Sequence, residues 1–212
     1  MKTLLPLLLL SSLVLFFTAC QPADPGESRE ALLEGMEFPL GDRHHSTGMG
    51  LSYRIPEGWH INRALGIPGG LIVGPETNDI TPNIRVIRDR LGPYSQNRFI
   101  RSFTESYFLR FEQFREISRG ELTTDAGVTV KRIEVQSRSQ VGMVRQVVYF
   151  FFRGGEAFAL IGSAPPSHAT YFGAYFDEVA RTFQWEGEPT SPPPEEEPLP
   201  SDPVLPEEPV QP

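Results

Sequence analysis

The stretch VVYFFFRGGEAFALI, residues 147–161, decides the fold of this chain. Its first six residues are all apolar, which indicates a strand that is buried on both faces in the interior of a sheet. Gly154 and Gly155 follow, and glycine accepts the positive φ angles that a two-residue hairpin turn requires. Residues 157–161 are apolar again and return as a second strand. We therefore predict an antiparallel hairpin at the centre of a sheet.

A helix is predicted on each side of this hairpin in the sequence. After Pro165 and Pro166, Ser167 can cap a helix, and Trp185 closes the domain. The apolar residues of that helix share one face: Phe172, Phe176, Val179 and Phe183. A second helix should follow Pro93. Its aromatic-rich face has three- and four-residue spacing: Ile100, Phe103, Tyr107, Phe111 and Phe114.

Short alternating segments predict the other strands. They lie at 51–55, 59–61, 71–73 and 84–86, and in a meander over 122–135 that turns at 125–127. The chain is thus expected to form one α+β domain, with an antiparallel sheet of about six to eight strands packed with two main helices. Cys20 has no partner cysteine in the chain, so no disulfide framework is expected.

Three short motifs resemble the PsbP/DcrB-like group of small export-pathway domains. They are YRIPEGW at 53–59, GEAFALIGSAP at 155–165 and FQW at 183–185. The resemblance extends over about residues 48–185. It implies an antiparallel sheet packed between helices, in an αβα-sandwich-like arrangement. It also implies a protein that binds others or assists their assembly rather than catalysing a reaction. It carries no functional residue over to this chain, because the shared positions shape the fold.

The N-terminus has the features of a bacterial lipoprotein signal. Lys2 precedes an apolar run at 4–17, which is too short for an ordinary membrane span. The run ends in FTAC, residues 17–20, which resembles a lipobox. That resemblance implies cleavage before Cys20 and two or three acyl chains on this cysteine, which would hold the protein firmly on a membrane. The alternative is an ordinary signal peptide with a chance cysteine.

The chain divides into four predicted segments. A signal peptide at 1–19 precedes a lipidated tether at 20–47, the PsbP/DcrB-like domain occupies 48–186, and a tail follows at 187–212. The tail contains ten prolines and seven acids with no lysine or arginine, so we expect it to be disordered. Gln21, in place of Asp, resembles the pattern that directs such proteins to an outer membrane, if the organism has one.

The charge distribution separates the domain from the ends. The whole chain carries −8, whereas residues 40–185 hold 17 Arg and Lys against 14 Asp and Glu. A nucleic-acid binder is therefore not expected, because its domain would be far more basic. Residues 85–119 contain eight arginines and four acids, which suggests a surface for an anionic partner. Its candidate residues are Arg85, Arg88, Arg98 and Arg101.

Other patterns give weaker candidates. The arginines could instead form ion pairs at helical spacing, as Arg101 with Glu105 or Glu116 with Arg119 would. Side chains able to bind a metal ion are clustered in the sequence only at Asp42, His44 and His45, and His60 could join them. We expect a solvated loop there rather than a metal site.

No glycine-flanked nucleophile or phosphate-binding loop is present in the sequence, and His168 is expected to be a surface residue. We predict no catalytic residue, no metal and no cofactor.

These observations favour a membrane-anchored envelope lipoprotein that binds or helps to assemble another envelope component without catalysis. The membrane would be contacted through lipid on Cys20. One alternative is a carrier of an apolar or lipid ligand, because the aromatic faces of the two helices could line a pocket. The remaining alternative is a hydrolase or metal enzyme whose site is assembled from residues distant in sequence.

Overall fold

A computed structural model describes residues 32–77, 80–108 and 111–187. The predicted signal peptide, Cys20 and nearly all of the predicted tail lie outside these residues. From residue 40 onward the elements are, in chain order, β1 (Leu40–Ser46), β2 (Leu51–Pro56), β3 (His60–Asn62), β4 (Leu71–Val73), β5 (Asn83–Arg90), α1 (Gln96–Phe108), β6 (Glu112–Thr123), β7 (Thr129–Ser139), β8 (Gly142–Arg153), β9 (Glu156–Ala164), α2 (Ala169–Arg181) and β10 (Gln184–Trp185).

The predicted α+β class is confirmed, with the strands distributed between two antiparallel sheets. A seven-stranded sheet has the order β3-β4-β5-β9-β8-β7-β6, and a three-stranded sheet has the order β1-β2-β10. The central hairpin is formed by β8 and β9, with Arg153 paired to Glu156. Gly154 and Gly155 have φ angles of 56° and 80°, as the tight turn requires.

The larger sheet has a hydrophobic cluster on each face, and β8 contributes to both. Val147, Tyr149 and Phe151 belong to the cluster that contains the apolar residues of α2 and of β2. Val148 and Phe150 belong to the other cluster, which contains the apolar residues of α1. The strand is thus buried on both faces, as its unbroken apolar run predicts. The two helices lie on opposite faces of the sheet.

The helix predicted to extend to Phe114 is shorter. α1 ends at Phe108, and Phe114 lies in β6, which pairs with β7 up to the turn at 125–127. The Phe111 ring still packs 5.8 Å from that of Tyr107, and Phe114 still packs against the α1 cluster. Apolar spacing therefore identified core residues correctly but extended the helix too far, because Phe111 lies between α1 and β6, and the pairing of β6 with β7 prevails over helical periodicity at Phe114.

The predicted tether boundary at residue 47 is wrong, because β1 lies within the segment assigned to the tether. β1 pairs with β2 along most of its length. The Pro39 carbonyl, just before β1, accepts hydrogen bonds from the Tyr175 hydroxyl and the Glu57 amide. This strand was not predicted from the sequence, because two of its inward-facing residues, His44 and Ser46, are polar although both are buried.

The start of α2 differs from the prediction as well. Residues Pro166–His168 form a single 3-10 turn, and α2 begins at Ala169. Ser167 does not cap the helix, since its hydroxyl lies 3.0 Å from Nδ1 of the adjacent His168. The apolar face predicted for this helix is confirmed, with Phe172, Phe176 and Val179 in the core. Among the described residues, no helix has the length and apolar content to cross a membrane.

Candidate binding groove beside β5

One edge of β5 is open over most of its length. On one side β5 pairs with β9 from Asn83 to Arg90. On the other side β4 covers only Asn83 and Ile84. The segment from Arg85 to Arg90 therefore has no neighbouring strand on its β4 side within the described sheet. An open strand edge offers a row of backbone donors and acceptors to another extended chain.

The register identifies which backbone groups face this open edge. The Gly74 amide donates to the Pro82 carbonyl at 2.8 Å, which directs the even-numbered positions of this strand toward β4. Val86 and Arg88 share that direction. No other backbone group of the described residues hydrogen-bonds to either of them on this side. Both residues thus present an N–H donor and a C=O acceptor along the edge.

Two loops border this edge and turn it into a groove of about 450 Å³. We call it the β5 groove, and its lining residues are Gly48, Met49, Ile67, Pro68, Arg85, Val86, Ile87 and Arg88. A 3-10 turn after β1, Thr47–Met49, contributes the first two of these residues, and the loop between β3 and β4 contributes the next two. The groove thus combines apolar walls with arginine side chains on the strand.

Contacts between the loops hold the walls of the groove in place. Nε2 of buried His44 hydrogen-bonds to the Gly69 carbonyl at 3.0 Å, which ties the β3–β4 loop to β1. A Cβ at Gly69 would lie 3.1 Å from Cε of Met49, so the two loops are in close contact. Burial lowers the pKa of His44, which favours the neutral ring in this position. Nη1 of Arg88 donates to the Gly48 carbonyl at 3.3 Å.

A smaller depression of about 140 Å³ continues from the β5 groove and shares Gly48, Met49 and Arg88 with it. Here Arg88 lies over the ring of Phe158, with 5.8 Å from Cζ to the centroid, and pairs with Glu156. Arg153 lies over Trp185 at 5.4 Å. We call this depression the arginine cradle. Stacked guanidinium groups of this kind keep donors available for carboxylates or carbonyls.

The four arginines proposed from the sequence fall into two groups. Arg85 and Arg88 line the β5 groove, although they leave the sheet on opposite faces. Cζ of Arg85 lies 5.4 Å from the ring centroid of Tyr107, and burial lowers the pKa of this arginine. Arg98 and Arg101 are exposed on α1 and do not line the groove. The predicted set therefore does not form one continuous surface.

Of the ion pairs proposed at helical spacing, Glu116 with Arg119 forms, at 2.9 Å, but in a strand. A bulge between Glu116 and Ser118 brings the two side chains to the same side of β6. The hydrogen bond from Arg119 lowers the pKa of Glu116. This pair is exposed, so it contributes little to stability.

The candidate metal ligands are not brought together. His44 binds the Gly69 carbonyl, whereas His45 points to the other side of β1 and contacts Glu186 at 2.5 Å. His60 is exposed in β3. Across residues 32–77, 80–108 and 111–187, no group of three or more His, Cys, Asp or Glu is placed to hold a metal ion. His168 is exposed, as expected, with its ring 6.2 Å from that of Phe172.

The aromatic faces of the helices pack directly on other rings. Phe103 of α1 lies 5.3 Å from Phe150 in an edge contact, and Phe99 lies 5.9 Å from Phe152. On the other face of the sheet, the ring of Phe176 covers Gly162 so closely that a Cβ there would lie 2.3 Å from it. These rings fill the space between helix and sheet, as core residues do.

The open edge was not predicted, yet the sequence contains a signal for its cause. β4 has only three residues and lies between Gly70 and Gly74. The open residues of β5 lie beyond the Leu71 end of β4, where Gly69 and Gly70 have φ angles of 78° and 82° and interrupt the extended backbone. Because β4 is so short, it leaves most of β5 without a neighbour on this side.

Comparison with known proteins identifies a fold but no family. No established family matches this sequence, and no curated protein matches it. Among solved structures, cyanobacterial PsbP (CyanoP) from Synechocystis sp. PCC 6803 is 16% identical with a TM-score of 0.50, and the match covers 71% of this chain and 95% of that chain. This similarity confirms the predicted PsbP-like fold.

Two other proteins share the fold at similar distance. The Ran-binding protein Mog1p of Saccharomyces cerevisiae is 13% identical with a TM-score of 0.52, covering 70% of this chain and 96% of that chain. LpqN, involved in cell envelope biogenesis of Mycobacterium tuberculosis, is 13% identical with a TM-score of 0.51, covering 77% and 100% respectively. At such identities a similarity establishes the fold alone.

Proposed function

We propose that this protein is a lipid-anchored protein of the cell envelope that binds another envelope protein, without catalysis, through the β5 groove. The observation that carries the proposal is the open edge of β5, where Val86 and Arg88 direct unpaired backbone groups into a groove that Arg85 and Arg88 also line. The names of two proteins with the same fold, Ran-binding Mog1p and LpqN of envelope biogenesis, are compatible with such a role.

The groove indicates the chemistry of the partner. A segment in extended conformation can add to the edge of β5 through main-chain hydrogen bonds, while its side chains alternate between the two sides of the added strand. Apolar side chains would contact Met49 and Ile67, and acidic side chains would reach Arg85 or Arg88. We therefore expect an extended partner segment that combines acidic and apolar residues.

The opposite edge of the same sheet is unsuited to this mode of binding. β6 is interrupted by irregular pairing between Glu112 and Arg115 and again between Glu116 and Ser118. It also carries charged side chains of both signs along its exposed length. Bulges and edge charges are the features by which proteins prevent strand addition. The contrast between the two edges favours β5 as the binding edge.

The two alternatives have less support. For a carrier of an apolar ligand, the aromatic faces of α1 and α2 would have to line a cavity, but their rings pack on the sheet and on one another. For a hydrolase, His168 or His60 would need a convergent nucleophile or metal, and both histidines are exposed. The Ser167 hydroxyl does lie 3.0 Å from Nδ1 of His168, but this pair is exposed on the 3-10 turn before α2, whereas a catalytic pair is expected in a pocket.

The location of the protein is also part of the proposal. Lipid on Cys20 would hold the domain at a membrane of the envelope, and we expect the outer membrane if the organism has one, because Gln21 follows the cysteine. The segment between Cys20 and the start of β1 at Leu40 would give the domain access to partners near that membrane.

Site-specific cross-linking tests the proposal. Ile67, a wall residue, is replaced by a photoreactive phenylalanine analogue, and cells are irradiated before the membranes are solubilised. We expect an adduct with an envelope protein, and the double change Arg85→Gln and Arg88→Gln should reduce its yield at least tenfold, because about 1.4 kcal/mol of lost binding energy suffices. Circular dichroism verifies that the variant is folded.

The matched control removes the same charge from the other two predicted arginines. Arg98→Gln and Arg101→Gln should leave the adduct yield unchanged, because these residues do not line the groove. An equal loss of adduct yield in the two double variants would contradict the groove as the binding site. It would indicate that binding depends only on the overall charge of the domain. The absence of any adduct with a folded parent protein would contradict the binding function itself.

A further inference from the structure

We infer that residues 188–197 of this chain bind in its own β5 groove and occupy it when no partner is present. This inference does not depend on the proposed partner, since it concerns contacts within one molecule. It rests on the direction in which the chain leaves the domain, on the arginines at that exit and on the composition of the segment that follows.

The pairing of β10 directs the chain toward the groove. Gln184 lies opposite Ser52 and Trp185 lies opposite Leu51. The Glu186 amide then donates to the Gly50 carbonyl at 2.8 Å. Residues 184, 185 and 186 thus lie beside residues 52, 51 and 50, so this part of the chain runs antiparallel to β2 and to the segment that precedes it. The next positions on that segment are Met49 and Gly48, which line both the arginine cradle and the β5 groove.

The arginine cradle holds the chain at this exit. Nη1 of Arg153 donates to the Glu186 carbonyl at 3.4 Å, and its Nη2 donates to the Gly187 carbonyl. Arg88 stands on the other side of the cradle, where it binds the Gly48 carbonyl. Residue 188, the first beyond the described residues, is a glutamate. It directly follows Gly187, whose carbonyl accepts a hydrogen bond from Arg153.

The composition of the following residues matches the groove in charge. Residues 188–197 contain Glu188 and the run Glu195, Glu196 and Glu197, with no basic residue. A chain that enters at Arg88 and runs antiparallel to β5 next meets Arg85. At about 3.1 Å per residue in a polyproline conformation, these ten residues span about 30 Å. Arg85 lies three strand residues, about 10 Å, beyond Arg88, so about 20 Å of the segment is available to cross the cradle from Gly187 and the glutamate run can then reach Arg85.

The prolines of this segment are also compatible with the edge. Proline lacks an N–H donor but keeps its carbonyl acceptor, and a polyproline chain leaves its carbonyls without internal partners. The open edge supplies the complementary donors, the N–H groups of Val86 and Arg88. Since the segment is covalently linked to the domain, its effective concentration is in the millimolar range, and weak contacts suffice for occupancy.

Hydrogen–deuterium exchange of the full-length chain, purified in detergent without a partner, tests this inference. The change Glu195→Gln, Glu196→Gln and Glu197→Gln removes the charges that would hold the segment. We expect faster deuterium uptake in the peptide that contains Val86 and Arg88, with the loss of protection at these two amides. Salt at about 1 M should produce the same loss in the parent protein, because it screens charges beyond about 3 Å.

The control variant removes the same number of acids farther along the chain, through Asp202→Asn, Glu207→Gln and Glu208→Gln. It should leave uptake in the β5 peptide as in the parent. Equal uptake by all three proteins would overturn the inference, and so would an equal increase in both variants, because residues 188–197 would then have no specific role. Cross-linking to a partner can succeed or fail independently of either result.

Discussion

Gly162 and Gly74 allow aromatic rings to lie directly on the backbone of the sheet. A Cβ at Gly162 would lie 2.3 Å from the ring of Phe176, and Phe176 is fully buried against β9. At Gly74 the corresponding distance to the Trp59 ring is 2.7 Å. Each glycine thus fixes how closely a neighbouring aromatic side chain approaches the backbone of the sheet.

We expect Gly162→Ala to lower the free energy of unfolding by about 1–3 kcal/mol, because the added methyl group must displace a buried ring or shift α2. Chemical denaturation followed by circular dichroism measures the change. Gly120→Ala is the matched control, since a Cβ at Gly120 in β6 would meet no atom within 4 Å. It should change stability by no more than about 0.5 kcal/mol. Similar losses in the two variants would contradict a steric role for Gly162.

Among the elements, those with a continuous local signal were predicted well. The β8–β9 hairpin follows from its apolar runs and its two glycines, and the buried face of α2 follows from its spacing. The end of α1 did not follow, because Phe111 and Phe114 keep helical spacing although Phe111 lies between α1 and β6 and Phe114 lies in β6, which pairs with β7. β1 was missed because its buried side chains are polar.

The candidate site could be predicted only in part for a related reason. The excess of arginine over acid in the sequence pointed to Arg85 and Arg88, which do line the β5 groove. The open edge itself depends on how few residues of β4 pair with β5, and this is a property of the assembled sheet. The same excess also pointed to Arg98 and Arg101, because a count of charges does not distinguish an arginine on the surface of a helix from one that lines a groove.

A network of charged side chains connects α2 with the sheet beneath it. Nε of Arg132 in β7 donates to Oδ1 of Asp177 at 2.8 Å, and the two side chains are only 10% and 14% exposed. The Tyr149 hydroxyl also donates to this carboxylate, and burial raises the pKa of Tyr149, so the hydroxyl remains protonated. Glu134 contacts the other end of the Arg132 guanidinium at 3.3 Å.

Asp177→Ala should lower the free energy of unfolding by about 3 kcal/mol, because it leaves a buried guanidinium and a buried hydroxyl without their shared acceptor. Urea denaturation measures this loss. Glu178→Ala, at the next position of α2, removes an exposed pair with Arg181 and should cost about 1 kcal/mol or less. If the two variants lost the same stability, the network would not hold α2 on the sheet.

At the scale of the whole molecule, opposite charges are separated along the chain. The segment 40–185 carries an excess of three positive charges, whereas residues 187–212 contain seven acids and no base. This separation supports both the proposed acidic partner and the inferred binding of residues 188–197, because the two would use the same arginines. A partner segment must then displace the chain's own segment, which limits binding to partners that fit the groove better.

The proposed function also requires that the molecule stay at a membrane, and Cys20 is the one cysteine able to carry a lipid. Cys20→Ser should therefore abolish labelling of the protein by a fatty-acid analogue in growing cells, since serine offers no thiol for diacylation. Gln21→Ser, which changes the adjacent residue and keeps the thiol, should retain the label. Label on the Cys20→Ser variant would contradict the anchor. Two or more acyl chains give stable attachment where one gives only marginal binding, so loss of labelling should be accompanied by loss of the mature, membrane-bound form.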